Sequence, residues 1–240
     1  MKRVDSRKQF DLRDIKITRN YLPYAEGSCL FEMGGTKIII AASVEESVPP
    51  WLIGRGKGWV TAEYGMLPRA TQNRNRRPVN STKQNGRAME IQRLIGRSLR
   101  AVCDMKVLGE RAVTVDCDVI SADGGTRVAS IIGSAIALHD AGTWLIKQGS
   151  IKKHFMRELI AAISIGIKNG KVLADLCYVE DSSADVDMNV VMTESGKLVE
   201  VQGTAEGEAF DRKMMNEMLD AAEEAIQSIV EIQKSVIDTL

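Results

Sequence analysis

Asp123-Gly124-Gly125-Thr126-Arg127 sets two glycines, a hydroxyl and a guanidinium in one short run. Residues 112–120 before it read as a strand, and residues 128–138 after it as an apolar helix. A glycine turn feeding a helix start gathers free backbone N–H groups at the positive end of a helix dipole. With a hydroxyl and a guanidinium alongside, such a point suits phosphate. The same residues also make an ordinary strand-to-helix turn, capped by Asp123 or Thr126. The choice between the two depends on what else the chain carries.

Arg69, Arg74, Arg76 and Arg77 follow one another closely, with Lys83 and Arg87 behind them and no acidic residue between Pro68 and Ala88. A charge run is ordinarily a solvated surface. This one is all arginine from 69 to 77, and arginine forks onto phosphate oxygens. It reads as a track for a nucleic-acid backbone, blind to base sequence.

Arg87 belongs to a helix expected over 85–103. On a wheel of 3.6 residues per turn it shares a stripe with Ile91, Leu94 and Ser98, which places it on the buried side. Arg93, Arg97 and Arg100 fall on the far face with Glu90, towards solvent or a partner subunit. A cation near the positive end of a helix calls for an anion. A structural carboxylate, or a side chain that snorkels to water, would also answer.

Glu180, Asp181, Asp185 and Asp187 crowd a short turn ahead of an apolar strand. Strand alternation would put Asp185 and Asp187 on one face and Val186 on the other. Such carboxylates suit Mg²⁺, which takes a few of them together with substrate phosphates. One with a raised pKa would serve as a general acid. A solvated acidic loop is the plainer alternative. An anion pocket, an arginine track and a carboxylate cluster together are what phosphoryl or nucleotidyl transfer on a nucleic acid requires.

The positioning elements follow from pattern. Residues 29–33 and 36–42 form a hairpin across Gly34-Gly35, and residues 162–168 and 171–176 another across Asn169-Gly170. A third joins 188–193 to 197–201. The first two each run on into an acidic segment, Val44-Glu45-Glu46 and Val179-Glu180-Asp181, which hints at a duplicated unit. Helices are expected over 85–103, 127–147 and 211–235, the last carrying an apolar stripe from Met215 to Val230. Residues 67–83, rich in proline and asparagine, read as a long exposed loop. No long linker interrupts the 240 residues, so one compact α+β domain spanning 1–240 is expected, with helices packed on antiparallel-rich sheets.

Lys+Arg and Asp+Glu number 32 each, so nucleic-acid binding must come from a local patch and not a global field. Cys29, Cys103, Cys117 and Cys177 are scattered in apolar contexts and read as buried free thiols of a reducing compartment. With only His139 and His154 in the chain, a zinc site or a histidine triad is disfavoured. No secretory signal and no membrane-spanning run stand out, which gives the expectation of a soluble cytoplasmic protein.

The stretch Gly65-Met66-Leu67-Pro68-Arg69-Ala70-Thr71, the arginines after it, Asn85-Gly86-Arg87, the 123–127 turn and the Glu180-Asp181…Asp185-Val186-Asp187-Met188-Asn189 segment resemble the bacterial ribonuclease PH family. The resemblance runs from Arg3-Val4-Asp5-Ser6-Arg7 into the C-terminal helix, with several separated motifs in order. It implies a fold like the second domain of ribosomal protein S5. It also implies a phosphorolytic 3′-to-5′ exoribonuclease that trims tRNA precursors, and a homohexamer built as a trimer of dimers. Carried onto this chain, Arg87, Gly125, Thr126 and Arg127 bind the attacking inorganic phosphate, and Arg69, Arg74, Arg76 and Arg77 hold RNA. Asp181 and Asp187 match the carboxylates of the family's catalytic centre, Asp187 as general acid or Mg²⁺ ligand with Asp181 supporting it. Related polynucleotide phosphorylases carry a lysine where Asn189 stands, so their metal arrangement does not transfer directly. The alternatives are a catalytically silent RNA-binding ring subunit and a metal-dependent hydrolytic nuclease.

Overall fold

Glycine turns and alternating apolar residues fold the first part of the chain into consecutive strands. The computed structural model describes residues 3–77 and 86–238. Strands β1 (Ile15–Arg19), β2 (Gly27–Met33), β3 (Thr36–Glu45), β4 (Trp59–Met66) and β5 (Ala112–Ser121) form one sheet, in the order β1-β2-β3-β5-β4. Only β4 and β5 run parallel. Parallel neighbours need a crossover, and α1 (Gly86–Ala101) and the single turn α2 (Met105–Leu108) lie in it. The second sheet is antiparallel throughout. It consists of β6 (Ile160–Lys168), β7 (Lys171–Ala174), β8 (Val186–Thr193) and β9 (Leu198–Ala205), in the order β7-β6-β8-β9.

Helix α3 (Thr126–Lys147) joins the two sheets. It packs on β2 and β3 of the first and on β6 of the second, so one apolar core runs through both. By length and composition α3 could cross a bilayer, contrary to the expectation that no run could. Its length from Val128 to Leu138 is buried instead between the sheets, which explains why it is apolar all round. Helix α5 (Arg212–Ile237) covers β6 and β7 and starts at Asp211, whose carboxylate accepts from Met214 N at 2.8 Å. Between β7 and β8 sits one turn of helix, α4 (Tyr178–Asp181).

All three hairpins form where the pattern places them. The hint of duplication does not survive. Strand β3 runs on through Glu45, whereas β7 stops at Ala174 and the second acidic segment coils into α4. Glu46 pairs with Arg111, and Glu180 with Arg3. The four cysteines are free and buried. His139 and His154 stack on each other.

A buried ion cluster fastens the N-terminal segment to the second sheet. Asp175, fully buried, accepts from Arg13 through its backbone N and its guanidinium, with Nη2–Oδ1 at 2.6 Å, and from Arg7 at 3.1 Å. Glu180, also buried, pairs with Arg3 at 2.6 Å. Breaking one side of such a cluster strands the other charge in low dielectric, which costs about 3–5 kcal/mol. Asp175→Asn is therefore expected to lower the urea midpoint by that free energy with an unchanged slope. A loss under 1 kcal/mol would show that the arginines find water instead.

Candidate active site

The turn after β5 departs from an ordinary cap. Gly124 and Gly125 are successive left-handed residues, with φ of 78° and 67°. A side chain at Gly124 would come within 2.7 Å of Leu176 O and Tyr178 N, so only glycine fits there. Gly125 occupies the N-cap position of α3, and no side chain caps the helix. Asp123 and Thr126, the two candidate caps, are engaged elsewhere. Asp123 Oδ1 accepts from Tyr178 N at 3.3 Å, and Thr126 Oγ1 lies 2.9 Å from the Tyr64 hydroxyl. The turn is braced from behind. Arg13 Nη1 donates to Asp123 O at 2.5 Å, and Thr36 Oγ1 accepts from Asp123 N and donates to Gly124 O. The first N–H groups of α3 are thus left open at the positive end of a 22-residue helix.

Arg127 stands in the first turn of α3, half-buried. Its Nη1 donates to Gln202 Oε1 at 2.7 Å and lies 3.6 Å from Glu90 Oε1, and Gln202 Nε2 donates to the same Glu90 oxygen. Arg87 is exposed at the start of α1, not buried as the wheel suggests. The stripe it shares with Ile91 and Leu94 is covered only from the second turn onward. Its charge nevertheless reaches Tyr64, Asp181 and Asp187, which places it at the same focus. Of the far-face arginines, Arg93 is exposed and Arg97 pairs with Glu200. Arg100 turns inward. It lies 4.4 Å over the Trp59 ring and donates to Val60 O, because β4 presents an aromatic face there.

The acidic segment divides by role. Glu180 is neutralised by Arg3. Asp185 lies just before β8, is exposed, and caps the β6–β7 turn by accepting from Asn169 N at 2.8 Å. It therefore does not share a site with Asp187 as the alternation suggested. Asp181 ends α4, and Asp187 is the second residue of β8. Burial raises the Asp181 pKa against the pull of Arg87, Arg127 and Arg13. Burial, then the charge of Asp181, pushes Asp187 up to about 6, with Arg127 opposing. Asp187 Oδ1 is buried and has no hydrogen-bond partner among the described residues. An orphaned carboxylate oxygen is costly and signals an absent partner.

Among the described residues, no group of three or more His, Cys, Asp or Glu is placed to hold a metal ion by itself. The Asp181–Asp187 pair still fits Mg²⁺ in the mode that uses two carboxylates and completes its shell with water and substrate phosphate. The orphaned Oδ1 of Asp187 is the donor such an ion would take up.

The described part of the arginine loop, 67–77, is irregular as expected and exposed from Gln72 onward, while Ala70 at its base is buried in the core. Leu67 N donates to Val119 O and Ala122 N to Ala70 O at 2.8 Å, so the loop base sits beside the 123–127 turn. Arg69, Arg74, Arg76 and Arg77 are all exposed, and none forms an ion pair with a described carboxylate. Lys83 and Asn85 lie outside the described residues. Arg13, Thr36, Tyr64 and Gln202 belong to the site and escaped sequence reading. Tyr64 alone left a trace there, as the single hydroxyl on the inward face Val60-Ala62-Tyr64 of a strand.

Two models of one family match successive parts of the chain: the 3′ exoribonuclease family, domain 1, over residues 11–143, and domain 2, over residues 158–225. The structure of rice (Oryza sativa) Rrp46 is similar, with a TM-score of 0.80 at 17% identity over 98% of this chain and 100% of that one. An Archaeoglobus fulgidus exosome with RNA bound to the active site gives 0.80 at 21% over 96% and 92%. An archaeal exosome core gives 0.77 at 20% over 97% and 91%. At these identities the likeness is one of fold, and it bears out the α+β architecture of the ribosomal protein S5 domain 2-like type.

Asp187 makes a charge test independent of activity. Its pKa rises on folding from 3.8 to about 6. Between those values the folded chain holds a proton that the unfolded chain has lost, so stability falls as pH rises through that window, and the penalty is complete above it. Asp187→Asn should therefore raise the melting temperature by about 2–6 °C at pH 7.5 and by nearly nothing at pH 4. An equal shift at both pH values would show that the surroundings do not oppose its charge.

Proposed function

The chain belongs to the 3′ exoribonuclease family, and from that premise we propose that it is a phosphorolytic 3′-to-5′ exoribonuclease of the ribonuclease PH type, trimming the 3′ ends of tRNA precursors. One observation carries the reading: an uncapped α3 N-terminus flanked by Arg87 and Arg127 faces an unpaired carboxylate pair, Asp181 and Asp187. The exposed Arg69, Arg74, Arg76 and Arg77 lead a polyanion to that point. An RNA partner is also in keeping with the similar archaeal exosome that holds RNA in its active site.

Inorganic phosphate and an RNA phosphodiester are both anions and must come within bonding range. The N–H groups at Gly125 and Thr126, the Thr126 hydroxyl, and Arg127 and Arg87 offset their repulsion and hold the phosphate in line. A phosphate oxygen bonds to the last RNA phosphorus, and the bond from that phosphorus to the preceding 3′ oxygen breaks. A nucleoside diphosphate departs, and the shortened RNA needs one proton on its new 3′ hydroxyl. Asp187, with a pKa raised to about 6 by burial and then by the charge of Asp181, can hold that proton. In the alternative arrangement Asp187 is ionised: Mg²⁺ held by Asp181 and Asp187 would offset the charge gathering on the departing oxygen, and water would supply the proton. Assembly as a homohexameric trimer of dimers rests on the motif resemblance.

A hydrolytic nuclease has no use for an open helix terminus with two arginines. A silent ring subunit has no use for a buried unpaired carboxylate. The three separate in one assay, with RNA incubated with and without inorganic phosphate. Nucleoside diphosphates are expected, and only with phosphate. Monophosphates would mean hydrolysis, and no product a silent subunit. Arg87→Ala should raise the phosphate requirement at least tenfold while RNA still binds, the scale of one charge-assisted contact. Asp187→Asn should abolish release without unfolding the chain.

A further inference from the structure

We propose that Tyr64 is a positioning residue for phosphate, holding the Thr126 hydroxyl so that its proton points at the bound anion. The inference rests on the phosphorolytic reading above and adds to it a residue outside the set of Arg87, Gly125, Thr126 and Arg127. Tyr64 lies on the inward face of β4 and is 7% exposed. Its phenolic oxygen stands 2.9 Å from Thr126 Oγ1. A buried phenol requires a partner. Gly125 holds the cap position of α3 and has no side chain to fill it, and the hydroxyl of Thr126, the next residue, meets the tyrosine.

Only one proton can lie between the two oxygens. With the phenol as donor, Thr126 keeps its own proton free for a third group. At this terminus that group is an anion seated on the open N–H groups. A chain from phenol to threonine to phosphate oxygen follows, in which each bond strengthens the next. Burial also raises the Tyr64 pKa, so the phenol remains a donor at neutral pH. The charges of Arg87 and Arg127 both reach the phenol, which locates it beside the same anion. Strand β4 ends at Met66 and passes straight into the arginine loop. One strand thereby carries both the RNA track and the support for the phosphate hydroxyl.

The test varies phosphate at saturating RNA, and RNA at saturating phosphate, for wild type, Tyr64→Phe, Thr126→Val and the double variant, with nucleoside diphosphate release as the readout. Tyr64→Phe fills the same volume, so the melting temperature and the RNA KM should hold. Its phosphate KM should rise roughly three- to tenfold, the scale of one hydrogen bond. Thr126→Val should raise it at least as far, and Tyr64→Phe should add nothing further in that background. An unchanged phosphate KM in Tyr64→Phe, or a full effect persisting beside Thr126→Val, would overturn the proposal. If wild type releases no diphosphate with phosphate present, the phosphorolytic reading fails by itself. Phosphate binding followed by ³¹P line broadening then decides the tyrosine claim: weaker binding by Tyr64→Phe supports it, and equal binding ends it.

Discussion

The Arg13–Asp175 ion pair is the contact on which the rest of the site depends. The anion turn belongs to the first sheet, at the end of β5, while Asp181 and Asp187 belong to the second, on α4 and β8. Chemistry between them requires the two sheets to hold a fixed relation at that edge. Arg13 supplies it. Its guanidinium grips Asp175 behind β7, and its remaining nitrogen donates to the carbonyl of Asp123. Asp175 stands in a left-handed conformation, φ 54°, which only a strong set of partners sustains. The apolar core formed by α3 brings the sheets together, and the ion pair sets their register at the site.

The same arginines govern which carboxylates stay reactive. Arg3, Arg7 and Arg13 neutralise Glu180 and Asp175, and the β6–β7 turn occupies Asp185. Asp181 and Asp187 are left without an ion-pair partner within hydrogen-bonding reach among the described residues. Their pKa values rise because burial outweighs the pull of Arg87 and Arg127 on both, and the charge of Asp181 adds to the burden on Asp187. Four acidic residues within eight positions thus divide into two that hold the fold and two that face the anion turn.

That division marks the limit of what the sequence reveals. The strand–glycine–helix order, the hairpins and the terminal helix are local patterns, governed by turn chemistry and periodicity, and they were legible. The roles within 180–187 were not, because they depend on an arginine 177 residues away in the chain. The wheel for α1 misplaced Arg87 for a related reason. Periodicity gives the direction a side chain takes but not where the neighbouring sheet ends. Arg100 errs in the opposite sense, drawn inward by a tryptophan on β4. Tyr64 and Gln202 were invisible as site residues because each acts through a partner that tertiary structure alone supplies.

The site concentrates two locally unfavourable features, an uncapped 22-residue helix and an orphaned carboxylate oxygen, beside two left-handed glycines that reach their conformation without steric cost. A buried unpaired polar group costs of the order of 1–3 kcal/mol. On the proposed reading, the attacking phosphate takes up the open N–H groups, and the proton or counter-ion of the leaving oxygen takes up the carboxylate. Substrate binding would then offset costs built into the fold, which is preorganisation in its physical sense. The rigid double-sheet core is what makes it sustainable, since a softer scaffold would relax by capping α3 with Thr126 and turning Asp187 to water.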